Sequence, residues 1–256
     1  IDYSIHRDDA LSTIIELQPA FLLHSRPFRH SSLLLDLLTP DYGRVSAIAR
    51  GGRSAKSKNK SLLQPFTPIQ ISMSGKSDLK TLRTVELRGG SIALTGERLF
   101  SAMYMNEIIV RLFQGHESDP EFFNTYEQCL LHLTHEESFE PVLRQFEMAL
   151  LDSLGYGIDF STEADSQVPI KSSYWYYFQE GSGFVRAQNQ EPAEPKAESS
   201  NNIYRGEELL NIHVRNFKHS LTCLTAKNVI RGILNNQLGP NPLRSRSLFK
   251  SLSPQQ

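Results

Sequence analysis

The sequence predicts an α+β chain of several domains: a small antiparallel β-barrel first, then a helical bundle carrying a small β and irregular insertion. Three observations predict it. Between Leu17 and Arg88 apolar residues recur with a period near two, and from Thr95 onward the period is helical. Charge divides with the pattern. Residues 21–88 carry twelve Lys/Arg against four Asp/Glu, residues 89–208 seven against twenty, and residues 209–256 seven against none. A net charge of -1 thus hides two ends suited to a polyanion and a middle that is not.

The strands follow in order. Leu17 to Arg26 is a mixed apolar run, and SLLLDLLT (Ser32 to Thr39) reads as a buried strand. PDYG (Pro40 to Gly43) has turn chemistry. RVSAIAR (Arg44 to Arg50) alternates, with Val45, Ala47 and Ala49 on one face, and TPIQISMS (Thr67 to Ser74) puts Ile69, Ile71 and Met73 together. GKSD (Gly75 to Asp78) turns the chain into LKTLRTVELR, where strict alternation sets Leu79, Thr81, Arg83, Val85 and Leu87 against Lys80, Leu82, Thr84, Glu86 and Arg88. Four to five short strands joined by turns and one basic loop suit an oligonucleotide-binding (OB) barrel or an SH3-like barrel, and the pattern does not separate them.

Helices follow. Leu99, Met103, Tyr104, Ile108, Val110 and Phe113 mark one apolar face, ending near Gly115. SDPEFF (Ser118 to Phe123) combines a cap, a first-turn proline and acids at a helix start, and that helix runs to about His132. SFEPVLRQFEMALLDSLGYG (Ser138 to Gly157) is the strongest helix, with Leu143, Phe146, Leu150, Leu151 and Leu154 at helical spacing and Gly155 past its end. YWYYF, QEGSG and FVRA read as a hairpin, and the Pro- and Glu-rich run Gln188 to Asn202 as an exposed loop. Thr225 to Gly239 and Ser245 to Leu252 close the chain as helices. The expected domains are an arm (1–16), the barrel (17–95), a helical domain (96–160), a hairpin and loop insertion (161–224) and C-terminal helices (225–256).

Several function classes are disfavoured. No run of 18 uncharged apolar residues exists to span a membrane, and the N-terminus lacks a secretion pattern, so a cytoplasmic protein is expected. The two cysteines, Cys129 and Cys223, have no metal spacing, so no cofactor or metal is expected. GKS (Gly75 to Ser77) lacks the earlier glycine of a phosphate loop, where Gln70 stands, and a strand follows it instead of a helix. No serine elbow and no carboxylate cluster assembles a catalytic group, so the chain is not read as an enzyme.

RGGRSAKSKNK (Arg50 to Lys60) is different: five cations and two glycines in eleven positions, with no acid between Asp41 and Asp78. Arg44, Arg50, Arg53, Lys56, Lys58 and Lys60 form the candidate phosphate-binding set, and the Gly51–Gly52 pair would let backbone amides approach a phosphate. Aromatics that could stack on bases are few (Phe28, Tyr42, Phe66), so backbone binding is expected over base reading.

AFLLHSRPFRHSSLLLDLLTPDYGRV, IARGGRS, LLQPFTP, LKTLRTVE, LFSAMYMNEIIVRLF, EPVLRQFEMALLDSLGYGIDF and GPNPLRSRSLFKSL, in that order, resemble the RecO family of bacterial DNA repair and recombination mediators. The resemblance covers roughly 17–160 and 225–252. It implies an N-terminal OB-fold, a helical middle and a C-terminal part that packs back on the helical domain, together with binding of single- and double-stranded DNA, annealing of complementary strands, and work with RecR to load RecA onto DNA coated by single-strand-binding protein (SSB). It implies a cytoplasmic, nucleoid-associated protein. The DNA-binding role falls on the six cations above, with Lys80 and Arg83 secondary. Capture of the acidic, Phe-ended SSB tail would fall on Arg144, Lys227 and Arg231. Arg144 sits oddly inside PVLRQFE unless it pairs with Glu140 or Glu147. Arg244, Arg246 and Lys250 are assigned to DNA or to the tail without a choice between them. Some family members hold zinc with four cysteines in the 160–200 region; this chain has none there, so zinc is not carried over. The alternative reading is an RNA-binding OB-fold module acting in RNA processing or translation.

Overall fold

The computed structural model describes residues 14–54, 57, 59–113, 117–135, 137–187 and 202–252. Most of the N-terminal arm, Lys56, Lys58 and nearly all of the Pro/Glu-rich loop lie outside the described residues, as does the side chain of Lys250. The chain divides into two compact units, residues 1–92 with 114–123, and residues 93–113 with 124–256.

The first unit is built on five strands: β1 (Ile14–Phe28), β2 (Ser32–Thr39), β3 (Gly43–Ala49), β4 (Pro68–Ser74) and β5 (Leu79–Leu87). They pair in the order β1-β2-β3-β5-β4, and β4 returns to β1, which closes the ring as an OB-like barrel. All pairings are antiparallel except β3 with β5, which run parallel from Ser46–Leu79 to Ile48–Thr81. The expected small antiparallel barrel is thus found, with β3–β5 as its parallel pairing. Inward residues alternate as the period of two requires: Leu35 and Leu37, Val45, Ala47 and Ala49, Ile69, Ile71 and Met73.

Register shifts interrupt the alternation of β1 and β5. On β5 both Leu82 and Val85 are buried, although they are an odd three positions apart. Ser72 pairs with Thr84 and the next residue, Met73, with Leu82, so Arg83 is the extra residue of a bulge. On β1 a shift between Ile15 and Gln18 places Leu17 at φ 50° and leaves it 61% exposed.

The second unit holds α1 (Gly96–Leu112), most of α2 (Pro120–His135), α3 (Glu140–Ser153), a sheet of β6 (Trp175–Gln179), β7 (Gly183–Arg186) and β8 (Ile203–Arg205) in the order β7-β6-β8, then α4 (Gly206–His213), α5 (Ser220–Leu238) and α6 (Arg244–Leu252). Asp119 caps α2 by accepting the Phe122 N–H at 2.8 Å, with Pro120 following. Met103, placed by periodicity on the apolar face of α1, is 40% exposed, while Ser101, Ala102 and Asn106 are buried. The helix is covered on more than one side, so the buried stripe does not follow hydropathy alone. The core joins Met148 and Leu151 of α3, Phe178 and Phe184 of the hairpin, Leu209 and Ile212 of α4, and Val229, Ile230 and Leu234 of α5. β8 and α4 fall in a stretch whose sequence reads only as mixed, and α5 begins at Ser220, before the expected Thr225. Gly206 joins β8 to α4 in a place no other residue fits: a Cβ there would lie 2.0 Å from the Lys171 carbonyl oxygen.

Candidate nucleic-acid interface and a cation-lined helical site

The basic loop leaves β3 through a tight turn. Gly51 takes φ 68°, and the Gly52 N–H donates to the Ala49 carbonyl at 3.3 Å. Gly52 is buried, and an added Cβ would crowd Leu33 of β2 at 3.1 Å. The reading of these glycines as open approaches for a phosphate is therefore corrected at Gly52, which supplies close packing and spends its amide inside the turn, while Gly51 supplies the left-handed conformation with open space around it.

Arg53 ties the loop to the β1–β2 turn. Its N–H donates to the Ser31 carbonyl at 3.0 Å and its guanidinium to the His30 carbonyl at 3.4 Å. Buried Leu63 and Phe66 anchor the far end of the loop. Arg50, Arg53 and Lys60 are exposed, and among the described residues none forms an ion pair. The tie also gathers cations that sequence reasoning missed. Arg26 on β1 and Arg29 in the turn are exposed beside this ledge, with Arg29 stacked over Phe28 at 5.3 Å. Their signal is SRPFRH, two arginines three apart, which periodicity treats only as the end of an apolar run.

The remaining barrel candidates are already engaged. Arg44 is half-buried and donates to Asp36 at 3.0 Å, where Ser46 also donates at 3.2 Å. Lys80 donates to the Gly75 carbonyl at 3.1 Å, and Arg83 to the Ser74 hydroxyl at 2.7 Å, so both brace the β4–β5 turn.

In the second unit, Arg144 is only 3% exposed. Its guanidinium donates to Glu147 at 3.0 Å and lies 4.0 Å from Glu140. Tyr104 of α1 donates to the same Glu147 oxygen at 2.7 Å. Burial pushes Glu147 above the usual carboxylate range, opposed by the Arg144 charge and the Tyr104 hydroxyl. The Tyr104 hydroxyl is raised by its burial and by that carboxylate. From α5, Lys227 donates to Glu140 at 2.8 Å, and Arg231, one turn further on, is exposed. Arg246 of α6 donates to Asn235 at 3.3 Å, further along α5. The fold thus brings Arg144, Lys227 and Arg231 together, with two of the three held by carboxylates of α3.

Glu107 of α1 holds the start of α6. It accepts the N–H groups of Arg244 and Ser245 at 2.8 Å each and the Ser245 hydroxyl at 2.6 Å. Partial burial works to raise its pKa, but these hydrogen bonds prevail and lower it.

A cavity of about 460 Å³ opens among Gly155, Gly157, Gly181 and Gly183, floored by Phe178 and Ile233. Asp159 and Glu180 line it, which is the wrong sign for DNA. A four-cysteine zinc site does not fit this chain, since Cys129 and Cys223 are its only cysteines and lie buried on different helices. Among the described residues no helix is long and apolar enough to cross a membrane.

The chain matches two family models, described as recombination protein O N terminal over residues 14–90 and recombination protein O C terminal over residues 93–247. Proteins named DNA repair protein RecO are similar along nearly their whole length. That of Tolumonas auensis is 40% identical over 92% of this chain and 95% of its own. That of Pseudoalteromonas atlantica is 41% identical over 90% and 92%. That of Cellvibrio japonicus is 40% identical over 94% and 99%.

Proposed function

This chain belongs to the RecO family of DNA repair proteins, and on that premise we propose that it is a DNA-binding mediator that works without catalysing a reaction. It binds single- and double-stranded DNA, anneals complementary strands, and with RecR helps to load RecA onto SSB-coated DNA in the cytoplasm, at the nucleoid. The observation that carries the reading is the exposed ledge of Arg50, Arg53 and Lys60 beside Arg26 and Arg29, without an acid in ion-pair contact among the described residues.

The chemistry follows from charge. Each phosphate met by one of these cations releases condensed counterions, which supplies sequence-independent and salt-sensitive affinity. Two strands held on one basic surface repel each other less, so pairing between them meets a smaller barrier. Arg53, tied to the β1–β2 turn, gives the surface a fixed shape. The engaged heads of Lys80, Arg83 and Arg44 make them supports of this surface more than phosphate contacts. Lys56 and Lys58 extend the basic run in sequence.

The SSB tail is assigned to the helical site, where Arg144, Lys227 and Arg231 present cations to its carboxylates. The test is an annealing assay with complementary strands coated by SSB, with and without its acidic tail. Annealing should accelerate on addition of the protein and lose much of that gain on tail removal. Unchanged annealing by folded protein rejects the mediator reading.

A further inference from the structure

The two carboxylates in the helical site are not equivalent. Glu147 is buried and held by Tyr104 and Arg144, so its removal would strand a buried guanidinium. Glu140 is the first residue of α3, its side chain is 35% exposed, and its two oxygens span Lys227 at 2.8 Å and Arg144 at 4.0 Å. It can swing into water at little cost, because a partly exposed ion pair contributes little. When it leaves, Lys227, Arg144 and the neighbouring Arg231 face only the inner carboxylate, Glu147. The site then carries an excess of positive charge beside the positive end of α3. The buried Nε of Arg144 also has no hydrogen-bond partner among the described residues.

We propose that Glu140 is a place-holding carboxylate, occupying the seat on Lys227 and Arg144 that an acidic peptide takes when it binds. The ligand must then bring a carboxylate of its own, and neutral apolar peptides are excluded because they would leave Lys227 without the carboxylate that holds it and Arg144 with Glu147 alone. This rests on the assignment of an acidic tail to the helical site and adds how that site selects and exchanges its ligand.

The test uses the full chain and a fluorescent acidic peptide ending in Phe with a free carboxylate, read by anisotropy. Glu140→Gln should bind about twofold to fivefold more tightly than the unsubstituted chain, the scale of one partly exposed ion pair. Glu140→Ala should show the same gain, and Lys227→Gln combined with Glu140→Gln should abolish it. Melting curves check that each variant folds. If the unsubstituted chain binds and Lys227→Gln weakens it, while both Glu140 variants bind no better, the place-holding role is overturned and the tail assignment stands. If neither the unsubstituted chain nor Glu140→Gln binds the peptide, the tail assignment falls and this inference falls with it. A gain by an oligothymidylate probe without a gain by the peptide would give these cations to nucleic acid and overturn the peptide exchange.

Discussion

The cations of the barrel and those of the helical unit are the same residue types in opposite electrostatic situations. At the barrel ledge Arg50, Arg53 and Lys60 stand exposed with no described carboxylate in ion-pair contact. In the helical unit Arg144 is buried against Glu147, and Lys227 is held by Glu140. Uncompensated surface charge acts at a distance and is screened by salt, which suits a long polyanion met in any register. Compensated charge acts only on a ligand that displaces or joins the compensating group, which suits a short ligand met in one register. Counting basic residues would treat the two alike.

The largest expected effect separates them by stability. Arg144→Met should lower unfolding free energy by about 3 kcal/mol, because it leaves Glu147 buried without its cation. The pH dependence has a definite sign. Glu147 already titrates above its unfolded value, and losing Arg144 raises it further. A carboxyl with a raised folded pKa favours folding below its unfolded pKa and loses that contribution as pH rises through the folded one. The deficit of Arg144→Met in urea unfolding should therefore shrink on acidification toward the ordinary carboxylate range. A deficit that is small and flat with pH would place Arg144 among the exposed cations.

The same kind of substitution at the ledge should leave stability almost unchanged and strike binding. Arg29→Glu, Arg50→Glu and Arg53→Glu together should weaken single-stranded DNA binding more than about tenfold at moderate salt. They should also lower the slope of log affinity against log salt by about 2 to 3, read from a titration series. An unchanged slope would remove the ledge from the interface.

A smaller effect concerns Glu107. Glu107→Ala should cost about 1 kcal/mol by uncapping α6. Because this carboxyl is lowered in the fold, its contribution is present above the unfolded pKa and lost as pH falls through the folded one. The difference in melting temperature between parent and variant should be full near neutrality and vanish in acid. The smallest effect is expected at Arg44→Gln, which should change DNA affinity by no more than about twofold, since Asp36 already occupies that guanidinium.

Much of the barrel and part of the helical site are legible in the amino-acid sequence. β2 coincides with SLLLDLLT, and β3 and β4 bury the alternate residues that their spacing names. The oddity of Arg144 in PVLRQFE points to a pairing within one or two helical turns, and both named glutamates are there. Less legible are Arg26 and Arg29, which matter only once Arg53 binds the turn between them and β2. The bulge at Arg83 is hidden as well, since alternation assumes an unbroken ladder.

The period of β2, β3 and β4, the segregation of charge along the chain, and the absence of acids around the basic loop are legible without the fold. Those are local properties, set by spacings of two to four residues and by composition. Which cations are available depends on the folded arrangement. Lys227 is neutralised by a residue 87 positions away, and the start of α6 is held by one about 137 away. No local pattern encodes such partners, because an ion pair requires its two charges within about 4 Å in space, wherever they stand along the chain.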